Sequence, residues 1–155
     1  MKKLAAAALV LGGTLLVVSF RSPDPEPVTA IHVYKSPDCE CCARWVTHME
    51  AAGFEVTVRD TTDLAAVKRR TGVPLALWSC HTTVAGDYVI EGHVPARVVG
   101  RFLEKKPQVA GISVPGMPIG SPGMEGPNPQ PYDVIAFDGK GNRTVFEQVD
   151  PRGSR

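Results

Sequence analysis

Residues 31–52 read IHVYKSPDCECCARWVTHMEAA, and the interpretation of the rest of the chain depends on this stretch. Its first five residues alternate in the way that is typical of a half-buried strand. A Ser-Pro-Asp break follows, in which Asp38 is predicted to be the N-cap of a helix. Gly53 is the expected end of that helix. The predicted helix has apolar side chains at helical spacing: Cys42, Trp45, Val46 and Met49.

The predicted elements after residue 53 continue the alternation of strands and helices. Residues 54–58 form a β-branched run, and Asp63 is predicted to cap a short helix after it. Two further runs, 79–85 and 88–93, flank a Gly-Asp pair that suits a two-residue hairpin turn. Pro95 then begins an amphipathic helix. The order strand–helix–strand–helix–hairpin–helix is that of a thioredoxin-like α/β sandwich.

The last part of the chain combines a long loop with a second predicted hairpin. Residues 107–131 contain seven prolines and five glycines and are expected to lack regular structure. A loop of that length in a small domain is usually functional or disordered. Residues 132–137 and 144–149 flank a turn-forming stretch and are predicted to pair. One thioredoxin-like metal-binding domain over residues 31–150 is therefore expected.

The N-terminal part of the sequence looks like an export segment rather than part of the fold. Lys2 and Lys3 precede an apolar run over residues 4–20, as in a signal peptide. Cleavage after Ser19 and retention as a membrane anchor both remain open, because the run is long for the first and short for the second. Residues 21–30 form a proline-rich spacer. These features predict a periplasmic or otherwise exported protein.

Composition limits the classes of partner. The chain has 155 residues, of which 43% are hydrophobic and 21% charged, which is ordinary for one globular domain. The formal net charge is +1, and the basic residues are scattered. The sequence has no basic stripe of the kind that neutralises phosphates, so nucleic acid is not an expected partner.

The four cysteines are placed for chemistry rather than for a disulfide scaffold. Cys39 and Cys42 have C-x-x-C spacing at a helix start after a strand, as in thiol–disulfide oxidoreductases. A helix N-terminus stabilises thiolates. Cys41 adds a third thiol that a two-electron exchange does not need, and a cluster of thiolates suits a soft metal ion.

The predicted hairpin brings further candidate ligands towards that cluster. Counting back from the Gly-Asp turn places Cys80 directly opposite His93, and opposed residues share a face of the sheet. A register slip of one residue would make His81 the alternative ligand. Met117 and Met124 lie in the Pro/Gly-rich loop with no periodic core face to join. Cysteine and methionine sulfur together favour copper, as Cu(I), over harder ions.

Other interpretations of the cysteines remain open at this stage. Export places the chain in an oxidising compartment, so two structural disulfides in any of three pairings are an alternative. A thioredoxin-like thiol–disulfide oxidoreductase using Cys39 and Cys42 is another. Zinc and iron–sulfur clusters also use cysteine ligands.

Several motifs together resemble the CopG-like periplasmic copper-resistance proteins over roughly residues 31–148. They are the C-x-C-C stretch 39–42, the SCHT stretch 79–82, the YVIEGHVP stretch 88–95, and the PGMP and GME stretches that begin at residues 115 and 123. The resemblance implies a thioredoxin-like fold, cysteine-bound copper and a role in copper redox handling. It implies the thiolate ligands Cys39, Cys41, Cys42 and Cys80, with His81, His93, Met117 and Met124 as further candidates.

The function predicted from the sequence is that of a periplasmic copper-binding protein that serves copper resistance, sequestration or Cu(I)/Cu(II) redox handling. More than one copper ion is compatible with four sulfurs. The expected partners are copper ions and, beyond them, periplasmic copper carriers or exporters. Whether copper or thiol oxidoreductase catalysis accompanies binding does not follow from the sequence.

Overall fold

The computed structural model describes residues 30–153. Within them the chain forms seven strands, three α-helices and one 3₁₀ helix. In chain order these are β1 (Ala30–Lys35), α1 (Glu40–Ala51), β2 (Glu55–Asp60), α2 (Leu64–Arg70), a 3₁₀ helix (Leu75–Leu77), β3 (Thr82–Ala85), β4 (Tyr88–Glu91), α3 (Ala96–Lys105), β5 (Gly111–Ser113), β6 (Tyr132–Phe137) and β7 (Arg143–Val149). This order confirms the predicted mixed α/β class. The export segment and most of the spacer lie outside the described residues.

All seven strands join one sheet in the order β2-β1-β3-β4-β5-β6-β7. The β1–β2 and β4–β5 pairs are parallel, and the other neighbours are antiparallel. β3 pairs with β1, so the hairpin of β3 and β4 occupies the middle of the sheet. The segment that precedes β3 therefore reaches the same end of the sheet as the turn between β1 and α1.

Apolar residues cover both faces of the sheet. The main core packs α1 and α3 against one face, with Trp45, Met49 and Phe102 fully buried there. A smaller cluster forms on the other face around Leu77 and Phe137. The predicted apolar face of α1 is confirmed, since its buried residues are Cys42, Trp45, Val46 and Met49. No helix in residues 30–153 is both long and apolar enough to span a bilayer.

Two helix starts illustrate what the sequence could and could not define. Asp63 caps α2 as predicted, because its carboxylate accepts a hydrogen bond from the Ala66 amide at 2.9 Å. The predicted Asp38 cap of α1 is wrong. A tight turn, in which the Cys39 amide donates to the Ser36 carbonyl, moves the helix start by one residue. Cys39 becomes the N-cap, and no side chain caps that end.

The Pro/Gly-rich region also differs from its prediction. Residues 107–131 were expected to lack regular structure, but β5 forms within them and pairs with β4 and β6. A three-residue strand is too short to give a periodic signal. Gly111 is required there, because a Cβ at this position would lie 2.0 Å from the Val89 carbonyl oxygen. The C-terminal hairpin of β6 and β7 is confirmed.

His48 links two helices of the core. Its Nε2 accepts a hydrogen bond from the Ala96 amide at 3.0 Å, at the start of α3, where no side chain of the N-cap residue Pro95 provides a cap. Partial burial lowers the pKa of His48, although Glu125 opposes the shift. The neutral imidazole therefore acts as the acceptor that the N-terminus of α3 needs.

We predict that His48→Ala lowers the free energy of unfolding by about 1 kcal/mol at pH 8, the typical value of a helix cap. The loss should be smaller at pH 5. Since the folded-state pKa is lowered, the unfolded chain takes up its proton first, and the stabilisation declines as pH falls below about 6.5. Chemical denaturation at the two pH values measures both. His32→Ala, which alters an exposed imidazole, is the control. An equal loss at both pH values would contradict the assignment.

Candidate metal centre

Three of the four cysteines lie at the N-terminus of α1. Cys39 is the N-cap, and Cys41 and Cys42 belong to the first turn. Cys39 and Cys42 form a disulfide, whereas Cys41 is a free thiol whose Sγ lies 3.5 Å from the Cys39 Sγ. The first amides of an α-helix have no intrahelical partner, and they favour negative charge on nearby sulfurs. This end of α1 can therefore stabilise thiolates when the disulfide is reduced.

The fourth cysteine reaches the same place from the segment that precedes β3, the strand paired with β1. Cys80 precedes β3, is a free thiol, and has its Sγ within 4.8 Å of the sulfurs of Cys39, Cys41 and Cys42. The Cys80 carbonyl oxygen lies 3.9 Å from the Cys42 Sγ. The predicted meeting of sulfurs from distant parts of the chain is thus confirmed. Whether they are metal ligands stays a prediction.

The hairpin register predicted the partner of Cys80. β3 and β4 pair as expected down to Thr82 and Glu91, where the ladder ends. The predicted strands are therefore too long, but the backbone continues the approach through a hydrogen bond from the Gly92 amide to the His81 carbonyl. The His93 Nε2 lies 2.8 Å from the Cys80 Sγ.

The Pro/Gly-rich loop fixes the tautomer of His93. Its Nδ1 lies 2.7 Å from the Pro122 carbonyl oxygen, which can only accept, so the proton resides on Nδ1. Burial lowers the pKa of His93, which keeps the ring neutral. Nε2 therefore directs a lone pair at Cys80, whose thiol donates to it. A ring oriented in this way by a carbonyl is the usual arrangement of a metal-binding histidine.

His81 is enclosed beside this pair. The ring is fully buried, its centroid lies 4.4 Å from that of Trp45 and 5.0 Å from that of His93, and its Nδ1 lies 3.4 Å from the Cys80 Sγ. Its Nε2 has no hydrogen-bond partner among the described residues. Burial lowers the pKa of His81 well below its usual value. The side chains of Cys80, His81 and His93 form a second group close enough to share one ion.

The thiol of Cys80 is protonated in the metal-free protein. Burial raises its pKa to about 12, and the adjacent Cys41 adds to the shift. A metal ion held by Cys80 would have to displace this proton, since thiolates rather than thiols are ligands. The centre thus offers neutral imidazoles and thiols to an ion that binds sulfur strongly enough to deprotonate it.

The loop of residues 115–131 covers the N-terminus of α1. The Arg44 guanidinium donates to the Gly123 carbonyl at 2.8 Å and 3.1 Å, and the Gly123 amide donates to Glu125 at 2.7 Å. The Ser79 hydroxyl donates to the Gly116 carbonyl at the other end of the loop. The loop is therefore attached to both cysteine-bearing segments.

The two methionines of this loop have different surroundings. Met117 is 49% exposed, whereas Met124 is half-buried and its amide donates to the Ser121 carbonyl. Met117 follows Gly116, whose carbonyl accepts from Ser79, and Met124 follows Gly123, whose carbonyl accepts from Arg44. Their role as thioether ligands stays a prediction.

Sequence reasoning missed the groups that hold these ligands in place. Pro122 acts through its backbone carbonyl, for which a sequence carries no signal. Lys68 and Glu91 form a buried ion pair that binds Ser79 and Thr82, on either side of Cys80 and His81. Glu91 could have been found, because a carboxylate that ends an otherwise apolar strand, Tyr-Val-Ile-Glu, requires a buried partner.

The chain is similar to one protein family and to two solved structures. Residues 77–124 match a protein family described as "Protein of unknown function, DUF411". A solved structure of the copper resistance protein CopG, in form 2, is 40% identical to this chain, with a TM-score of 0.75; the similarity covers 79% of this chain and 99% of that one. The form 1 structure is 42% identical, with a TM-score of 0.74 and coverages of 80% and 98%. No curated protein matches the chain.

A mixed α/β domain that brings four sulfurs and two imidazoles together at one end of its sheet has a set of side chains suited to a soft metal ion or to thiol chemistry. The similarity to the solved structures extends over nearly their whole length. The chain belongs to the CopG-like copper resistance family.

We predict that Gly123→Ala disrupts the centre. Gly123 has φ +83°, and an added Cβ would lie 2.5 Å from the Cys41 carbonyl oxygen and 3.0 Å from the Trp45 amide nitrogen. The loop must therefore move off α1, which should lower the unfolding free energy by about 1–3 kcal/mol. It should also release the Pro122 carbonyl from His93. Thermal unfolding and the rate of thiol alkylation measure the two effects.

Gly86→Ala is the matched control. Gly86 has φ +58° in the β3–β4 turn, at the end of β3 opposite to Cys80, and a Cβ there meets no atom within 4 Å. This variant carries the backbone strain without a steric contact at the centre, so thiol alkylation should stay as in the unaltered protein. Equal behaviour of the two variants would show that the contact of Gly123 with α1 is unimportant.

Proposed function

We propose that this protein binds copper, favouring Cu(I), at the multi-cysteine centre and so serves copper resistance by sequestration or by Cu(I)/Cu(II) redox handling. The observation that carries the proposal is the convergence of all four sulfurs within 4.8 Å. The family supports the choice of metal, since its solved members are copper resistance proteins. Soft sulfur ligands select Cu(I) by the same chemistry.

The proposed ligands are Cys39, Cys41, Cys42 and Cys80, with His93 at the edge and His81, Met117 and Met124 as further donors. In the disulfide form Cys39 and Cys42 provide no thiolate, so Cys41, Cys80 and His93 would hold the ion. Reduction breaks the S–S bond with two electrons and supplies two more thiolates. The reduced protein is therefore expected to bind Cu(I) more tightly, and its four sulfurs can accommodate more than one ion.

The test is a Cu(I) titration against a competing chelator, with the protein reduced and then oxidised. Replacing Cys39, Cys41 and Cys42 together by Ser should abolish tight binding. The double variant Cys39→Ser/Cys42→Ser is the matched control. It cannot form the disulfide but keeps Cys41, Cys80 and His93, so it should retain the weaker binding of the oxidised protein. Tight binding by the triple variant would eliminate the proposal, as would zinc or iron rather than copper in protein isolated from its native compartment.

A second candidate function is supported by the Cys39–Cys42 disulfide. A C-x-x-C pair at a helix start after β1 is the arrangement of thioredoxin-like oxidoreductases, and it supports the thioredoxin-like interpretation of the fold. This candidate requires the metal-free, reduced protein to reduce a disulfide substrate with turnover. Absence of turnover, together with tight Cu(I) binding, would decide in favour of copper.

The proposed location is the periplasm, or the outer side of a membrane if the N-terminal segment is retained. The Lys-Lys pair before the apolar run of residues 4–20 supports export. Mass spectrometry of the protein from a fractionated cell decides between cleavage near Ser19 and an uncleaved anchor. Recovery of the intact chain from the cytoplasm would refute export. Periplasmic copper carriers or exporters are the proposed partners.

A further inference from the structure

We infer that the buried ion pair of Lys68 and Glu91 positions Cys80 and His93 for metal binding. The inference deepens the proposed function and rests on it for the identity of the metal. Lys68 lies on α2 and Glu91 ends β4, so neither belongs to the predicted ligand set. Both are positioning residues.

The pair is buried and close. Lys68 is 3% exposed and Glu91 is 0% exposed, and the Lys68 Nζ lies 2.5 Å from the Glu91 Oε1. A buried ion pair is seldom the most stable solution, because apolar residues of similar volume often stabilise a core equally well. The presence of two buried charges here is therefore better explained by a role in positioning than by a gain in stability. The directional hydrogen bonds that the charged groups form can provide that role.

The Glu91 carboxylate holds both sides of the Cys80–His81 segment. Its Oε1 accepts from the Ser79 amide at 2.6 Å, and its Oε2 accepts from the Thr82 hydroxyl at 2.7 Å. Lys68 also donates to the Thr82 hydroxyl at 3.0 Å. The residues immediately before and after Cys80–His81 are thus attached to one fixed carboxylate.

These hydrogen bonds hold the Cys80 segment where the sheet no longer does. The β3–β4 ladder stops at the pair of Thr82 and Glu91, so Cys80 lies beyond its last rung. Glu91 precedes His93 by two residues. The Glu91 carboxylate therefore fixes the position of the segment that carries Cys80 relative to the backbone that leads to His93. Hydrogen bonds to a charged group in a dry interior are strong and directional. The 2.8 Å approach of the Cys80 Sγ to the His93 Nε2 depends on them.

The test compares the full-length protein with Lys68→Met/Glu91→Leu. This double variant removes both charges, so it leaves no unpaired buried ion and should stay folded. We expect Cu(I) affinity to fall by about tenfold or more, as for other groups that orient metal ligands. We also expect faster alkylation of Cys80 in the metal-free, disulfide-intact protein. In that state Cys41 and Cys80 are the free thiols, and mass spectrometry distinguishes them.

Two further variants keep the experiment decisive. Thr82→Val removes one attachment without leaving a buried charge, and should give a smaller loss of affinity together with faster Cys80 alkylation. Glu147 lies on the edge strand β7 and forms ion pairs with Arg97 and Arg101 of α3. Glu147→Gln removes these ion pairs and should change neither the Cu(I) affinity nor the rate of Cys80 alkylation. A folded double variant with unchanged affinity and unchanged Cys80 alkylation would overturn the inference. If the double variant does not fold, unchanged values for Thr82→Val would overturn it.

The outcomes separate this inference from the proposed function. If the unaltered protein fails to bind Cu(I), the proposed function is wrong, but the alkylation rate of Cys80 still tests the positioning role. If the unaltered protein binds Cu(I) and every variant binds it equally, the proposed function stands and the positioning role is wrong.

Discussion

The approach of Cys80 to the first turn of α1 is the contact on which the rest of the centre depends. Two segments 38 residues apart in sequence meet there, and the topology makes the meeting possible because β3 pairs directly with β1. Were another strand inserted between β1 and β3, Cys80 would lie farther from the other sulfurs by one strand spacing, about 4.8 Å. The direct pairing of β3 with β1 thus turns a helix-start C-x-x-C pair into a four-sulfur site.

The surroundings of this contact hold it in register. Trp45 packs against His81 next to Cys80, the Lys68–Glu91 pair holds the segment that precedes β3, and the Pro/Gly-rich loop covers the N-terminus of α1. Each supports a different candidate ligand, and the ion pair and the loop act through directional hydrogen bonds rather than through apolar packing. The Pro/Gly-rich loop therefore has a role in the site that its composition alone would not suggest.

Much of this arrangement could be predicted from the sequence. The period of the apolar residues defined α1 and its buried face, and the Gly-Asp turn fixed the hairpin register well enough to pair Cys80 with His93. Three features were not predictable. The β3–β4 ladder ends where the Glu91 carboxylate accepts from Ser79 and Thr82, β5 depends on a glycine that admits a neighbouring strand, and the tautomer of His93 depends on a loop carbonyl. All three involve particular tertiary contacts, which local sequence patterns do not encode.

The missing cap of α1 has a consequence for how this domain responds to its ligand. A helix start without a side-chain acceptor is less stable by roughly 1 kcal/mol than one with an Asp or Ser cap. A negatively charged sulfur at Cys39 would supply that acceptor charge, whereas a sulfur bound in the disulfide carries none. Loading an ion onto thiolates there would therefore tighten the first turn itself, so that occupancy of the centre and order of the helix end rise and fall together.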